Sequence, residues 1–313
     1  MITPATAESM TIFQAIVLGL VEGITEFLPV SSTGHLIIVS DLLGLGDTAT
    51  QRSAVDTFNI FIQGGAILAV LGLYFPRVIQ MLKGLAGKDQ LGRKLAFNII
   101  IAFLPAAVLG VLFNDHIKAT LFNTPAVITA LALGGVFMIA LDKIKFDKDD
   151  EDDAEALDIT SLSWKQALFI GFMQTIAMCP GTSRSMMTIA GGVIVGLKPK
   201  QAAEFSFLLG LPTLGGACVY SLAKNIKETS DASTPNMFEV LGWMPIIVGV
   251  IVATISAALA VRWLVSFLNK HGLAPFGYYR LGLAALLGIL IATGFVSIDA
   301  PQPQASPTLE LDQ

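Results

Sequence analysis

The stretch Glu22-Gly-Ile-Thr-Glu26-Phe-Leu-Pro29-Val-Ser31-Ser32-Thr33-Gly34-His35 sets two carboxylates, a run of hydroxyls and an imidazole inside an otherwise apolar segment. Ile12 to Leu20 precede it and Leu36 to Val39 follow it. A charge at bilayer depth costs roughly 2.5–3.5 kcal/mol on insertion scales, so ionisable groups kept there mark function. The stretch therefore reads as chemistry or ion handling inside a membrane.

The rest of the chain supports that setting. Of 313 residues, 54% are hydrophobic and only 14% charged, against about 25% charged in a soluble domain. Mean hydropathy is +0.71. The net charge of -5 is concentrated in Asp147-Lys-Asp-Asp-Glu-Asp-Asp-Ala-Glu155, which reads as a solvated loop. No basic patch points to nucleic acid. Cys179 and Cys218 lie in apolar surroundings and read as free thiols rather than a disulfide. Met1 to Met10 lack the basic start of a cleaved signal peptide, so the first apolar segment is expected to be retained.

A helix needs about 20 apolar residues to cross the hydrocarbon. Segments 57–75, 96–113, 125–142, 203–222, 243–267 and 278–297 meet or approach that length. Segments 11–40 and 164–197 are instead broken, at Pro29 to Gly34 and Pro180 to Ser185. Irregular backbone at membrane depth is tolerated only where protein buries it or where it lines a wet cavity. Both segments are therefore expected to be re-entrant helical hairpins.

The halves also echo each other. Gly19-Leu-Val-Glu22 and Pro29-Val-Ser-Ser-Thr33 match Gly171-Phe-Met-Gln174 and Pro180-Gly-Thr-Ser-Arg184. Phe58-Asn-Ile-Phe61-Ile-Gln-Gly64 matches Phe205-Ser-Phe207-Leu-Leu-Gly210. The expected fold is an all-α polytopic membrane protein with an inverted-topology repeat. Residues 1–142 form the first repeat, 143–163 an acidic cytoplasmic linker and 164–313 the second repeat, with a polar tail from about 298. Arg77, Lys83, Lys88, Arg93 and Lys94 place loop 76–95 on the cytoplasmic side, and Lys198, Lys200, Arg262 and Lys270 fall there too; Lys224 and Lys227 run against the pattern. Hairpin 11–40 then opens to the outer face. Broken helices in an inverted repeat place a binding site where their tips converge.

Glu22 and Glu26, spaced i, i+4, share one helix face. Such a pair is stabilised by a divalent cation, and Mg²⁺ typically combines one or two carboxylates with substrate phosphate; Ca²⁺ is the alternative. Ser31, Ser32, Thr33 and His35 offer a hydroxyl beside an imidazole, the elements of a nucleophile–base pair, although helix capping accounts for Ser31 equally well. In the second tip Arg184, flanked by Ser183 and Ser185, has the guanidinium geometry that grips phosphate. A snorkelling Arg is the competing reading. Arg280, after Pro275-Phe-Gly-Tyr-Tyr, reads either as a second phosphate clamp or as an interfacial anchor. Gln174 and Thr188 are lesser candidates, and His116 and His271 read as bystanders. A metal-binding carboxylate pair, a hydroxyl–imidazole pair and one or two Arg fit attack on a phosphoryl group. The membrane setting makes the substrate a lipid phosphate.

At these residues the chain resembles the bacterial undecaprenyl-pyrophosphate phosphatase family of the bacitracin-resistance type. The resemblance rests on Glu22 to His35, Pro180-Gly-Thr-Ser-Arg-Ser185, Glu204-Phe-Ser-Phe-Leu-Leu209 and Tyr279-Arg280. It implies an inner-membrane enzyme that hydrolyses undecaprenyl diphosphate to the monophosphate at the outer face, recycling carrier lipid for peptidoglycan. It also implies dependence on a divalent cation, re-entrant helices and homodimers. By the same resemblance Glu22 and Glu26 are the acidic pair and Ser32 the nucleophile. His35 is its acid/base partner, with the roles of Ser32 and His35 open to exchange, and Arg184 and Arg280 are phosphate ligands. One position departs: Met186 stands where the family usually has Gly after Ser-Arg-Ser, which bears on the geometry of the second tip. A lipid-phosphate flippase or transporter is the alternative, because inverted repeats with broken helices are also a transporter architecture. An ion-coupled symporter would use the Glu pair but leave Arg184 without a role.

Overall fold

The computed structural model describes residues 9–45, 48–121, 124–146, 157–232 and 235–293. The acidic stretch 147–155 and the tail from 298 lie outside them. The described residues are helical throughout, with no strand among them. Twelve helices follow in order. They are α1 Ile12–Thr25, α2 Ser32–Leu42, α3 Ala49–Leu73, α4 Phe75–Leu85, α5 Gln90–Leu121 and α6 Thr124–Phe146. The second set is α7 Trp164–Ile176, α8 Arg184–Ile194, α9 Pro199–Ala232, α10 Met237–Leu241, α11 Trp243–His271 and α12 Ala274–Ala292.

Six of them, α3, α5, α6, α9, α11 and α12, are long and apolar enough to cross a membrane. They overlap the six apolar segments read from the sequence; α3 and α12 end at Leu73 and Ala292, short of the expected 75 and 297, while α5 and α9 run well beyond theirs. Large apolar side chains such as Val111, Leu112, Leu133, Val219 and Leu259 point outward, as a lipid-facing surface requires. The chain is a multi-pass membrane protein. Loop 76–95 holds a further helix, α4, which carries Arg77 and Lys83 beside exposed Phe75, Leu82 and Leu85.

The two broken segments fold alike. Thr11 and Ser163 each begin a capping box, closed by Gln14 and Gln166 respectively. Such a box satisfies N–H groups that a helix start leaves without partners. Each glutamine amide then reaches the exit of its own helix pair: Gln14 Nε2 donates to the Leu43 carbonyl and Gln166 Nε2 to the Val195 carbonyl, both at 3.0 Å. Entry and exit of each pair therefore lie side by side. A helix of 14 residues extends only about 21 Å at 1.5 Å per residue, short of the roughly 30 Å hydrocarbon core. At the two breaks Ser31 and Ser183 both adopt φ of 75°, 152 positions apart, and each hydroxyl accepts from an N–H of the helix that follows.

Small residues set the packing around the first pair. A Cβ at Gly23 would overlap the Ser256 hydroxyl and the Ala253 carbonyl, and one at Gly19 the Gly249 carbonyl. Ser256 Oγ also donates to the Gly19 carbonyl at 3.3 Å. Close backbone approach through Gly, Ala and Ser is the usual way helices associate in lipid, and here it brings α1 against α11. At one end of the bundle Arg77 on α4 bonds Glu204 on α9 at 2.7 Å and lies 3.7 Å from Asp158. The segment after the acidic stretch folds back onto the bundle, with Ile159 and Leu162 fully buried and Asn98 donating to the Leu162 carbonyl at 2.8 Å.

Candidate active site

The two breaks meet. Ser185 Oγ in the second tip donates to the Leu28 carbonyl in the first at 2.9 Å. Arg184, at the start of α8, reaches across to Glu26, just past the end of α1, with Nη2 to Oε1 at 3.2 Å. Glu26 Oε2 accepts from Ser32 Oγ at 2.7 Å. One carboxylate thus holds a hydroxyl with one oxygen and a guanidinium with the other. Neither Glu26 nor Arg184 is much exposed, at 6% and 10% of the side chain, so their attraction is weakly screened.

Arg184 is held from two further sides. Nη1 donates to the Ser206 carbonyl at 2.9 Å, and the guanidinium lies 5.5 Å from the centre of the Phe27 ring. Gly210 leaves room for it, since a Cβ there would come within 3.0 Å of Nη1. Phe27 in turn packs edge-on against Phe207 at 5.3 Å. Ser206, Phe207 and Phe27 were not singled out from the sequence as site residues; the motif Glu204 to Leu209 was the signal, because its backbone turns out to hold the arginine.

Glu22 sits one turn before Glu26, fully buried, and neither of its carboxylate oxygens has a hydrogen-bond partner among the described residues. It lies within electrostatic reach of Glu26 and Arg184. A buried carboxylate without partners is costly, and a cation would offset that cost. No cluster of three or more His, Cys, Asp or Glu occurs among the described residues. The donor set fits an ion that draws its remaining ligands from water and phosphate, as Mg²⁺ commonly does. Gln174, the counterpart of Glu22, keeps a buried Nε2 without a partner, while its Oε1 accepts from Thr213 at 3.2 Å.

The remaining candidates are placed differently. His35 does not meet Ser32. Its Nδ1 lies 2.7 Å from the Ser31 carbonyl and its Nε2 2.7 Å from the Tyr279 hydroxyl, with the two rings nearly parallel at 7°. Because the carbonyl can only accept, Nδ1 carries a proton and Nε2 faces the tyrosine. Tyr279 was visible in the sequence only as the neighbour of Arg280. Ser183 pairs with Ser185 at 3.0 Å. Thr188 is wholly buried and bonds the Arg184 carbonyl and the Ser206 hydroxyl. Thr33 is half-buried at the start of α2. Arg280 is completely buried and bound to backbone carbonyls. Met186 is also buried, and its sulfur lies beside Gly134, next to the Arg280 guanidinium.

Residues 15–286 match the family model described as bacitracin resistance protein BacA. An undecaprenyl-diphosphatase of Sorangium cellulosum (strain So ce56) is 42% identical over 275 residues, covering 88% of this chain and 85% of that protein. Undecaprenyl-diphosphatase 1 of Stutzerimonas stutzeri (strain A1501) is 45% identical over 274 residues, 88% and 92% of the two chains. Undecaprenyl-diphosphatase 1 of Pseudomonas fluorescens (strain Pf0-1) is 43% identical over 293 residues, 94% and 99%. With a buried Ser–Glu–Arg constellation inside a multi-pass helical bundle, and with the family model spanning most of its length, the chain belongs to the bacitracin resistance protein BacA family.

Proposed function

We propose that this protein hydrolyses undecaprenyl diphosphate to undecaprenyl phosphate and inorganic phosphate, the activity for which its relatives are named. By that activity it recycles carrier lipid for the cell wall and confers resistance to bacitracin. The observation that carries the site assignment is the Ser32 hydroxyl on Glu26 with Arg184 on the opposite oxygen of the same carboxylate.

Ser32 Oγ attacks the terminal phosphorus while Glu26 takes its proton. The bond from phosphorus to the bridging oxygen breaks, and undecaprenyl phosphate leaves with the electron pair. Water then attacks the phosphoserine. Glu26 returns its proton to Ser32 Oγ as that bond breaks, and the proton of water leaves with the phosphate. Arg184 stabilises charge on the transferring group. Glu22 and Glu26 would hold a divalent cation, which when bound neutralises charge on the diphosphate oxygens. His35 fixes the turn that presents Ser32 by donating to the Ser31 carbonyl. Burial of the site leaves little water to compete with these groups.

The paired helices α1–α2 and α7–α8 are re-entrant hairpins of an inverted repeat in this reading, supported by their short helices and by the glutamine bonds that join entry to exit. The basic ends of α4, α5 and α9 face the cytoplasm, so the first hairpin opens outward and the reaction takes place on the outer side. The working form is a homodimer, as in the resemblance above.

The test is phosphate release from a polyprenyl diphosphate by the purified protein, with and without Mg²⁺. Wild type should be active, and Glu26→Ala, Ser32→Ala and Arg184→Ala should each lose most of that activity. Full activity in the three variants would refute the site. An inactive wild type that moved labelled lipid phosphate between leaflets would make it a flippase.

A further inference from the structure

Arg280 is a buried cation whose hydrogen-bond partners among the described residues are all main-chain carbonyls. Nη2 donates to the Gly181 carbonyl at 2.8 Å and to the Ala130 carbonyl at 3.0 Å. Nε donates to the Leu131 carbonyl at 3.3 Å, and Nη1 reaches the Pro29 carbonyl at 3.5 Å. Pro29 belongs to the first break and Gly181 to the second, while Ala130 and Leu131 belong to α6. One planar group with five N–H donors can serve carbonyls on three separate elements, which a lysine ammonium cannot do in the same plane. The side chain has no exposed surface left for a phosphate oxygen.

The surroundings are shaped for this group. A Cβ at Gly134 would overlap Nη2 and crowd the Met186 sulfur, and Gly181, with φ of 88°, is pressed against the Val127 carbonyl. The breaks leave carbonyls without helical partners, and such groups must be satisfied when buried away from water. Arg280 supplies donors to one carbonyl from each break. Glu26, three residues before Pro29, and Arg184, three residues after Gly181, make the ion pair between the halves.

We infer that Arg280 is a positioning residue that locks the two tips to each other and to α6, and that it takes no part in binding substrate phosphate. It sets the Glu26–Arg184–Ser32 geometry through the backbone. Misplacement of reacting groups by about 1 Å can cost on the order of a hundredfold in rate without weakening binding.

The test combines amide exchange with kinetics on the full-length protein in nanodiscs, using Arg280→Lys and Gly134→Ala. The second variant keeps the arginine but intrudes on its seat, and it decides the matter if the first fails to fold. The expected result is faster exchange at both breaks, residues 26–31 and 179–184, in both variants. With it, kcat should fall about 10- to 100-fold, while KM and inhibition by inorganic phosphate change less than about twofold. Unchanged exchange with weakened phosphate inhibition would overturn the inference and make Arg280 a phosphate ligand. Faster exchange at one break only would overturn the joining role. The kinetic arm rests on the hydrolase reading; if wild type proves inactive, that reading fails and the exchange arm still decides the inference.

Discussion

Glu26 and Arg184 form a buried ion pair at 3.2 Å although 158 residues separate them. The pair joins the two tips, and Glu26 also carries the Ser32 proton acceptor at 2.7 Å. Glu26→Gln keeps the shape but removes the base and the counter-charge together. General-base catalysis contributes typically 10²- to 10⁴-fold, so kcat should fall by about that range. Leaving a buried arginine without its partner costs about 3–5 kcal/mol, so the variant should also melt at a lower temperature. A variant with near-normal kcat would remove Glu26 from the proton path.

Ser31 and Ser32 are adjacent but should respond differently. Ser31 caps α2 and holds φ of 75°. Loss of an N-cap hydroxyl costs about 1 kcal/mol, so Ser31→Ala should lower stability by that amount and reduce rate only modestly. Ser32→Ala should abolish turnover with little change in melting. Trapping of a phosphorylated protein in the wild type, absent in Ser32→Ala, checks the nucleophile directly.

The His35–Tyr279 contact predicts a graded series. Tyr279→Phe keeps the stacked ring and loses only the 2.7 Å bond to Nε2, so its kcat should drop several-fold, about the effect of one neutral hydrogen bond of roughly 1 kcal/mol. His35→Ala removes the bond to the Ser31 carbonyl as well and should fall much further. If Tyr279→Phe matched His35→Ala in a steady-state assay, the hydroxyl would be the critical group.

The apolar runs and the two interruptions were legible because a bilayer leaves a chain few choices: long apolar segments became helices and Pro-Gly-Ser clusters became breaks. Glu22, Glu26, Ser32 and Arg184 were legible because ionisable and hydroxyl groups at that depth are costly without a role. Partner choice was not. Ser32 lies closer in sequence to His35 than to Glu26, and only the left-handed turn at Ser31 points the hydroxyl at the carboxylate. Arg280 read as either a phosphate clamp or an interfacial anchor, because a sequence does not reveal which carbonyls a break will leave without donors. The helix α4 was hidden in a basic loop whose charges were read for orientation alone.

The α1–α11 crossing gives a stability prediction away from the site. Gly23→Leu would place a branched side chain against Ser256 and Ala253, where even a Cβ does not fit. Overpacking typically costs about 1–3 kcal/mol, and here backbone stands opposite backbone, so the upper end is expected. The variant should melt several degrees lower in detergent than Gly282→Leu, whose position has open space around it. Equal melting of the two would mean that α1 can shift along α11 without cost.

Asp158, outside the membrane-spanning helices, gives a prediction for pH. Burial works to raise its carboxyl, but hydrogen bonds from the Thr160 hydroxyl and amide, with Arg77 nearby, outweigh it and hold the group below the usual carboxylate range. A lowered folded-state value means that the charged form contributes stability above the ordinary value of about 3.9 and loses it as pH falls through the lower folded one. The fold-back of residues 157–163 should therefore be insensitive to pH from neutral down to about 5 and loosen below about 4. Amide exchange of that segment, corrected for its intrinsic pH dependence, should rise only in the acidic range. In Asp158→Ala it should be raised at every pH. A rise near neutrality in the wild type would point to a group other than Asp158.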